Sequence, residues 1–331
     1  MDTKKLIETC KQQALEGHRL GKDAIVRLLS VNPQSQEYEL IKQVAGLVAA
    51  TRSKYRSYMW AAIGLDYKPC KMNCNFCSLG EKWGLIHEEY ELDEDVVIQL
   101  VRNYVETGVR WIVLRTTQFY SFDKLLSLAQ NIKLKVKGSY ELGVNVGEFD
   151  EEIVKRMLQT GIEFVYHSVR IREGIDTCFD LAERKKTMAA IRDSKLKLVS
   201  LIEPIGIEHS NEEIADAFLT ALEFGPVVTG AMARVPVKGT PLGNIQALSE
   251  ERLAHIIAVT RLASGYQASD ICVHPATERC VEWGANVVVI ETGAIPRDSC
   301  KKLNINWNDF SPLVASNIFK KFNYQVYSKG E

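Results

Sequence analysis

Eight short apolar runs recur along the chain, separated by longer amphipathic stretches. That rhythm limits the fold more than any other feature. The runs are Met59–Leu65, Trp111–Arg115, Leu142–Val146, Phe164–Val169, Leu196–Ile202, Val227–Val235, Ser269–Val273 and Asn286–Ile290. They are rich in β-branched and aromatic residues, as buried strands are. Between them, Asp93–Thr107, Phe122–Asn131, Asp150–Thr160, Ala182–Ser194, Glu212–Glu223, Glu250–Ser264 and Ala276–Trp283 space their apolar residues as helices do. Strands alternating with helices pair in parallel through right-handed βαβ units. Eight such units close a ring, so the predicted class is α/β, a (β/α)8 TIM-type barrel over residues 57–300. Residues 1–56 read as a helical extension, with Ile7, Ala14, Ile25, Leu28, Ile41, Val44 and Val48 at helical spacing. Residues 301–331, carrying Trp307, Phe310, Phe319, Phe322, Tyr324 and Tyr327, read as a tail packed on the barrel.

Length and composition agree with this. The 331 residues suit one barrel of about 250 residues with additions. Apolar residues make up 46% and charged residues 25%, enough for a large core. The net charge is −1 with no basic block, which argues against nucleic acid or an anionic membrane as the main partner. No run approaches the roughly 18 apolar residues of a spanning helix. The polar start MDTKKLIETCKQQ is unlike a signal peptide, so the expected compartment is the cytoplasm. In that reducing setting eight cysteines are not a disulfide framework, and clustered ones read as metal ligands.

Three of them, Cys70, Cys74 and Cys77, stand at C-x3-C-x2-C spacing just after the first strand. A parallel barrel presents its ligand-binding loops at that end of its strands. No fourth cysteine is near, and His87 is the only nearby candidate for completing a zinc site. An iron–sulfur cluster on three thiolates leaves one iron open to a reacting group.

With Phe76 before its last cysteine, the loop resembles the cluster loop of radical S-adenosylmethionine (SAM) enzymes. Other stretches resemble the biotin-synthase-like branch of that superfamily, which also holds two-component lipoyl synthase, the FeFe-hydrogenase maturase and methylornithine synthase. They are Val237-Lys238-Gly239-Thr240-Pro241-Leu242, Gly143-Val144-Asn145-Val146-Gly147-Glu148, and Cys280 with Trp283-Gly284-Ala285-Asn286. The resemblance covers residues 10–295. It implies a 4Fe–4S cluster on Cys70, Cys74 and Cys77 whose open iron is chelated by SAM. One electron then cleaves the sulfonium to give a 5′-deoxyadenosyl radical. It also implies an electron donor such as ferredoxin or flavodoxin.

Positions carried over as SAM-binding are Phe76 against adenine, Asn145 and Glu148 in the third-strand segment, Arg170 and Glu173 after the fourth strand, and Arg184, whose planar fork suits a carboxylate. The Gly-Gly-Glu that holds the methionyl amine in relatives is absent. Here Leu114-Arg115-Thr116-Thr117-Gln118 stands there, and the oxygens of Thr116, Thr117 or Gln118 are the candidate acceptors. Glu203, closing the fifth strand, is a candidate for SAM or a cationic substrate group, with Glu291 a weaker one. Arg115 and Arg234, if turned inward, favour a carboxylate substrate, free or on a carrier protein.

The auxiliary 2Fe–2S cluster of biotin synthase is excluded, because Arg115, Gly143 and Val199 or Ser200 occupy its cysteine positions. Cys272, Cys178, Cys280 and Cys300, with His274, form the candidate ligand set for a differently placed second cluster, all but Cys280 near the barrel mouth. On that set rests the first expectation, a sulfurtransferase-type radical enzyme inserting sulfur at a C–H bond. The second is a single-cluster lyase, mutase or maturase-like enzyme. The third is a non-catalytic cluster- or zinc-binding scaffold. A second radical SAM subunit is a candidate partner.

Overall fold

The structure, a computed structural model, describes residues 2–293 and 310–326. Three helices come first: α1 (Thr3–Leu15), α2 (Lys22–Leu29) and α3 (Gln36–Ser53). Ser35 caps α3 by accepting from Tyr38 N, and left-handed Lys54 and Tyr55 turn the chain into the barrel. The barrel then follows as β1 (Arg56–Gly64), β2 (Asp66–Tyr67), β3 (Tyr90–Glu91), α4 (Glu94–Glu106), β4 (Trp111–Arg115), α5 (Phe122–Lys135), β5 (Glu141–Asn145), α6 (Glu151–Gln159), β6 (Phe164–Tyr166), α7 (Leu181–Arg192), β7 (Lys197–Val199), β8 (Ile202–Ile205), α8 (Asn211–Glu223), β9 (Val228–Ala233), α9 (Glu250–Ala263), β10 (Asp270–His274), α10 (Glu278–Glu282) and β11 (Val287–Gly293). After the undescribed stretch come α11 (Pro312–Lys321) and β12 (Gln325–Val326).

The sheet runs parallel from β10 through β11, β1, β4, β5, β6 and β7 to β9, and closes where β9 pairs β10. Closure depends on Gly230. A Cβ there would stand 1.8 Å from the Cys272 carbonyl oxygen, at a backbone φ of 150°. The fifth strand is not the single run Leu196–Ile202. It breaks into β7 and β8 because Leu201 N donates to Ser168 Oγ at 3.0 Å instead of joining a ladder, and Ser200 Oγ bonds the same hydroxyl.

Strand parity sorts the core. Met59, Ala61 and Ile63 of β1 join the outer core under the helices, whereas Trp60 and Ala62 face the lumen. The lumen floor is filled by Trp60, Val113, Phe164, Tyr166, Val199, Leu201, Val228, Cys272 and Val287. Helix α9 is buried all round from Leu253 to Ala263, since α1, α2 and α3 cover its outer side. At the other end of the chain, β12 adds to the start of β1, pairing Gln325 with Arg56.

Candidate active site

The cysteine loop leaves the upper end of β1 and is fastened at three places. Its base is the antiparallel β2–β3 pair, where Tyr67 and Tyr90 stack 5.7 Å apart. Within it, Asn73 takes a left-handed φ of 46°, and its Oδ1 accepts from Lys82 N at 2.9 Å. Trp83 Nε1 donates to the Cys74 carbonyl at 3.2 Å. From outside, the loop after β6 clasps it. Asn75 N donates to the Asp176 carbonyl at 2.8 Å, and Asn75 Nδ2 donates to Asp176 Oδ1 at 2.9 Å. Leu242 N donates to the Asn75 carbonyl at 3.0 Å, so the Val237–Leu242 stretch supports the same loop.

Cys74 is buried, and Cys70 and Cys77 are half-buried. Burial pushes the Cys74 thiol up to about 12; the Arg170 charge pulls it down, and Cys77 and Cys70 push it up. Burial likewise raises Cys70. The Arg170 guanidinium thus favours the thiolate forms of Cys70 and Cys74. Among the described residues no three His, Cys, Asp or Glu side chains converge on one point as the ligands of a single ion do. A polynuclear cluster instead spreads its thiolates over separate irons. His87 is exposed. Three thiolates without a fourth fit an open-iron cluster better than tetrahedral zinc.

Between this loop and the lumen floor lies a cavity of ≈ 1110 Å³, open solvent at its mouth included. Phe76 and Cys77 line one end and Trp60 lies at the other. Polar residues at or near the strand ends line it: Arg115, Asn145 and His274 end their strands, Arg170 and Arg234 follow theirs, and Glu203 and Glu291 lie within theirs. This is the end at which barrels bind ligands. Asn145 Nδ2 donates to the Tyr166 carbonyl at 3.0 Å, which fixes the amide. Tyr166 OH donates to Glu203 in a short contact, and Arg170 Nε lies 3.7 Å from the other Glu203 oxygen. Burial opposes the Arg170 charge, but Glu173 and Glu203 more than offset it and hold its pKa above the ordinary value. His274 Nε2 is 3.5 Å from Glu291 Oε2.

Arg184 sits behind this lining. It is 3% exposed, with Nε 3.0 Å from Glu173 and Nη1 3.2 Å from Glu148. Its guanidinium lies 4.0 Å over the Phe179 ring. His167 Nε2 bridges toward Glu148 at 3.1 Å, and Thr187 Oγ1 donates to Glu148 at 2.7 Å. Burial pushes the Glu173 carboxyl up, partly countered by Arg170. Glu148 ends below the ordinary value because His167 and Thr187 outweigh its burial. The structure therefore joins Glu148, Glu173 and Arg184 in one buried network with His167 and Thr187. Sequence reasoning missed those last two; the histidine in the apolar run Phe164–Val169 was their one signal.

Other expected positions fall differently. Thr117 is turned to Asp66: its N donates to Asp66 Oδ1 at 2.7 Å and its hydroxyl to Oδ2 at 2.5 Å. Thr116 Oγ1 donates to the Thr117 carbonyl. Both hydroxyls thus donate within the protein. The three auxiliary cysteines within the described residues are not brought together. Cys272 is not at the mouth but in the lumen floor, fully buried, with its thiol pushed up by desolvation alone. Cys280 is buried in α10, outside the barrel, and raised to about 12 by burial. Cys178 is exposed beside the cluster loop, its N donating to the Met72 carbonyl. Cys300 lies outside the described residues, as do Trp307 and Tyr327.

No family model matches the chain. Among curated proteins it is similar to biotin synthase of Persephonella marina, 24% identical over 283 residues that cover 80% of each chain. It is also similar to biotin synthase of a Sulfurihydrogenibium species, 22% identical over 283 residues and 81% of each. Among solved structures, methylornithine synthase superposes with a TM-score of 0.81 at 15% identity, covering 96% of this chain and 97% of the other. HydG, a maturase of the FeFe-hydrogenase, gives 0.72 at 14%, covering 100% and 73%.

Proposed function

We propose that the chain is a radical SAM enzyme of the biotin-synthase-like branch, a reading supported by its likeness to biotin synthases, and that it abstracts hydrogen from a small carboxylate-bearing substrate held in the barrel lumen. Cys70, Cys74 and Cys77 would hold a 4Fe–4S cluster with SAM beside it. When bound, these groups would supply the reductive cleavage and the hydrogen-abstracting radical. The chain does the rest. Phe76 borders the SAM end of the cavity. The closed floor around Trp60 and Tyr166 excludes water from one side. Arg170, Asn145 and Glu203 stand between the loop and the floor, where substrate and SAM meet.

The observation that carries this reading is the cavity lining. Arg115, Arg170 and Arg234 line the cavity with Glu203 and Glu291, while Glu208 pairs with Arg234 and Glu173 lies beside Arg170 from outside the lining. An anionic substrate group complements that set. For the reaction itself, rearrangement or fragmentation of the substrate is favoured over sulfur insertion. A second cluster as sulfur donor needs converging ligands, and Cys272, Cys280 and Cys178 lie in the floor, outside the barrel and at the surface. The likeness to methylornithine synthase supports the same choice. A reductant such as ferredoxin or flavodoxin supplies the electron, and the cytoplasm suits the oxygen-sensitive cluster.

The test is iron and sulfide content with EPR on anaerobically reconstituted protein, beside a Cys70/Cys74/Cys77→Ala triple variant. About four irons in the wild type and none in the variant are expected, with 5′-deoxyadenosine formed by the wild type alone. About four irons persisting in the variant would restore the sulfur-insertion reading. A wild type that never cleaves SAM would end the assignment.

A further inference from the structure

We propose that Glu208, which lies outside the cavity lining, is a positioning residue that sets Arg234 to receive the substrate carboxylate. The proposal rests on the carboxylate reading above and adds which edge of which guanidinium is used, and what holds it.

Arg234 follows β9, lines the cavity and is 4% exposed. Both of its terminal nitrogens are taken by one carboxylate: Nη1 contacts Glu208 Oε1 closely, and Nη2 lies 3.0 Å from Oε2. This is the fork-to-fork pairing that fixes a guanidinium in plane as well as in place. A guanidinium has a second edge that fits a carboxylate, made by Nε–H and one outward N–H. On Arg234, Nε–H is buried with no acceptor on the protein. A buried donor without a partner is costly, and a ligand oxygen would supply the missing acceptor. Glu208 thus occupies one edge and leaves the other.

The brace is itself braced. Arg172 Nη2 donates to the Glu208 carbonyl at 3.1 Å, while Arg172 Nε holds Glu213 at 2.6 Å. Glu213 closes the capping box with Ser210 at the start of α8. His209 Nδ1 accepts from Gly206 N at 2.9 Å and fixes the turn. Arg234 N donates to the Ile205 carbonyl at 2.8 Å, tying the two strand ends together. Gly206 leaves room for the pair: a Cβ there would stand 2.3 Å from Glu208 and 2.5 Å from Arg234. Substituting Gly206 by alanine therefore moves the pair without deleting either charge.

The experiment titrates pentanoate and its neutral match, pentanamide, into reconstituted wild type, Glu208→Gln, Glu208→Asp and Gly206→Ala, by calorimetry. Wild type should prefer pentanoate. Glu208→Gln and Gly206→Ala should each lower that preference about tenfold, the scale of one charge-assisted hydrogen bond. Pentanamide affinity and iron content should not move, and Glu208→Asp should recover part of the preference. A merely structural role would weaken both probes together. An unchanged or increased preference in both variants overturns the positioning role while leaving the carboxylate reading intact. A wild type with no preference overturns both. Should Glu208→Gln fail to fold, Gly206→Ala decides alone.

Discussion

Replacing Arg184 by methionine removes the cation from a buried network and leaves its carboxylates behind. Glu173 is 2% and Glu148 23% exposed at the side chain, at 3.0 and 3.2 Å from the guanidinium. Breaking a buried pair by deleting one partner costs about 3–5 kcal/mol. Losing the stack on Phe179 adds about 0.5–1 kcal/mol. Part is recovered, because Arg170 N still donates to Glu173 at 3.0 Å and Thr177 Oγ1 at 2.5 Å. The expected loss is therefore about 3 kcal/mol, a large share of the roughly 5–15 kcal/mol that holds a domain together. The loss should depend on pH. Glu173 already has a folded pKa above its unfolded one, so the stability it contributes is present at low pH and lost as pH rises through the folded value. Without Arg184 that value moves up further, so the deficit should be larger at pH 8 than at pH 5. Urea denaturation at both pH values reads it, and Arg184→Lys should lose roughly half as much. A deficit under about 1 kcal/mol, flat with pH, would refute the counter-ion role and leave the guanidinium for a ligand.

Three further outcomes are expected. Gly230→Ala should cost at least about 2 kcal/mol in thermal or chemical denaturation, because its Cβ collides with the β10 backbone at a seam where neither strand can retreat. His255 is held neutral between the Leu28 carbonyl at 3.0 Å and Arg252 at 3.2 Å, and burial, aided by Arg252, lowers its pKa to about 3. The unfolded chain takes that proton first, so stability present above pH 6.5 should fall on acidification by up to about 1.4 kcal/mol per pH unit. His255→Gln should flatten that slope in a pH series of melts. Asp176→Ala removes the side-chain half of the clasp on Asn75. Reconstituted protein should then lose iron to a chelator several-fold faster than wild type, and an equal rate would show that the clasp is dispensable.

The barrel was legible because its strands are covered on both faces and so read as unbroken apolar runs. Trp111–Arg115 is a strand of those very bounds, and most of the other runs miss by one to three residues. The break in the fifth strand was not legible. It arises from a hydroxyl on the neighbouring strand, Ser168, which no local pattern around Ser200 reveals. At the site, the cysteine spacing is a local property and was read directly. The strand map put Cys272 near the barrel mouth, but assignment to a strand carries no information about depth, and depth separates a mouth ligand from a floor residue. Arg184 could be placed by resemblance, whereas its partners come from the ends of β5 and β6 and meet it only in three dimensions. Glu208 gave no sequence signal at all. A charged residue in a loop looks solvated until Arg234 is seen beside it.

The filled floor has a kinetic consequence. Among the described residues, Trp60, Phe164 and Cys272 plug the lower end of the lumen, and the cavity above them is bordered by the cysteine loop. On the function proposed above, a molecule resting against Trp60 lies deeper than one against Phe76 and Cys77, so the expected order of binding is substrate first and SAM last, which order-of-addition kinetics would check.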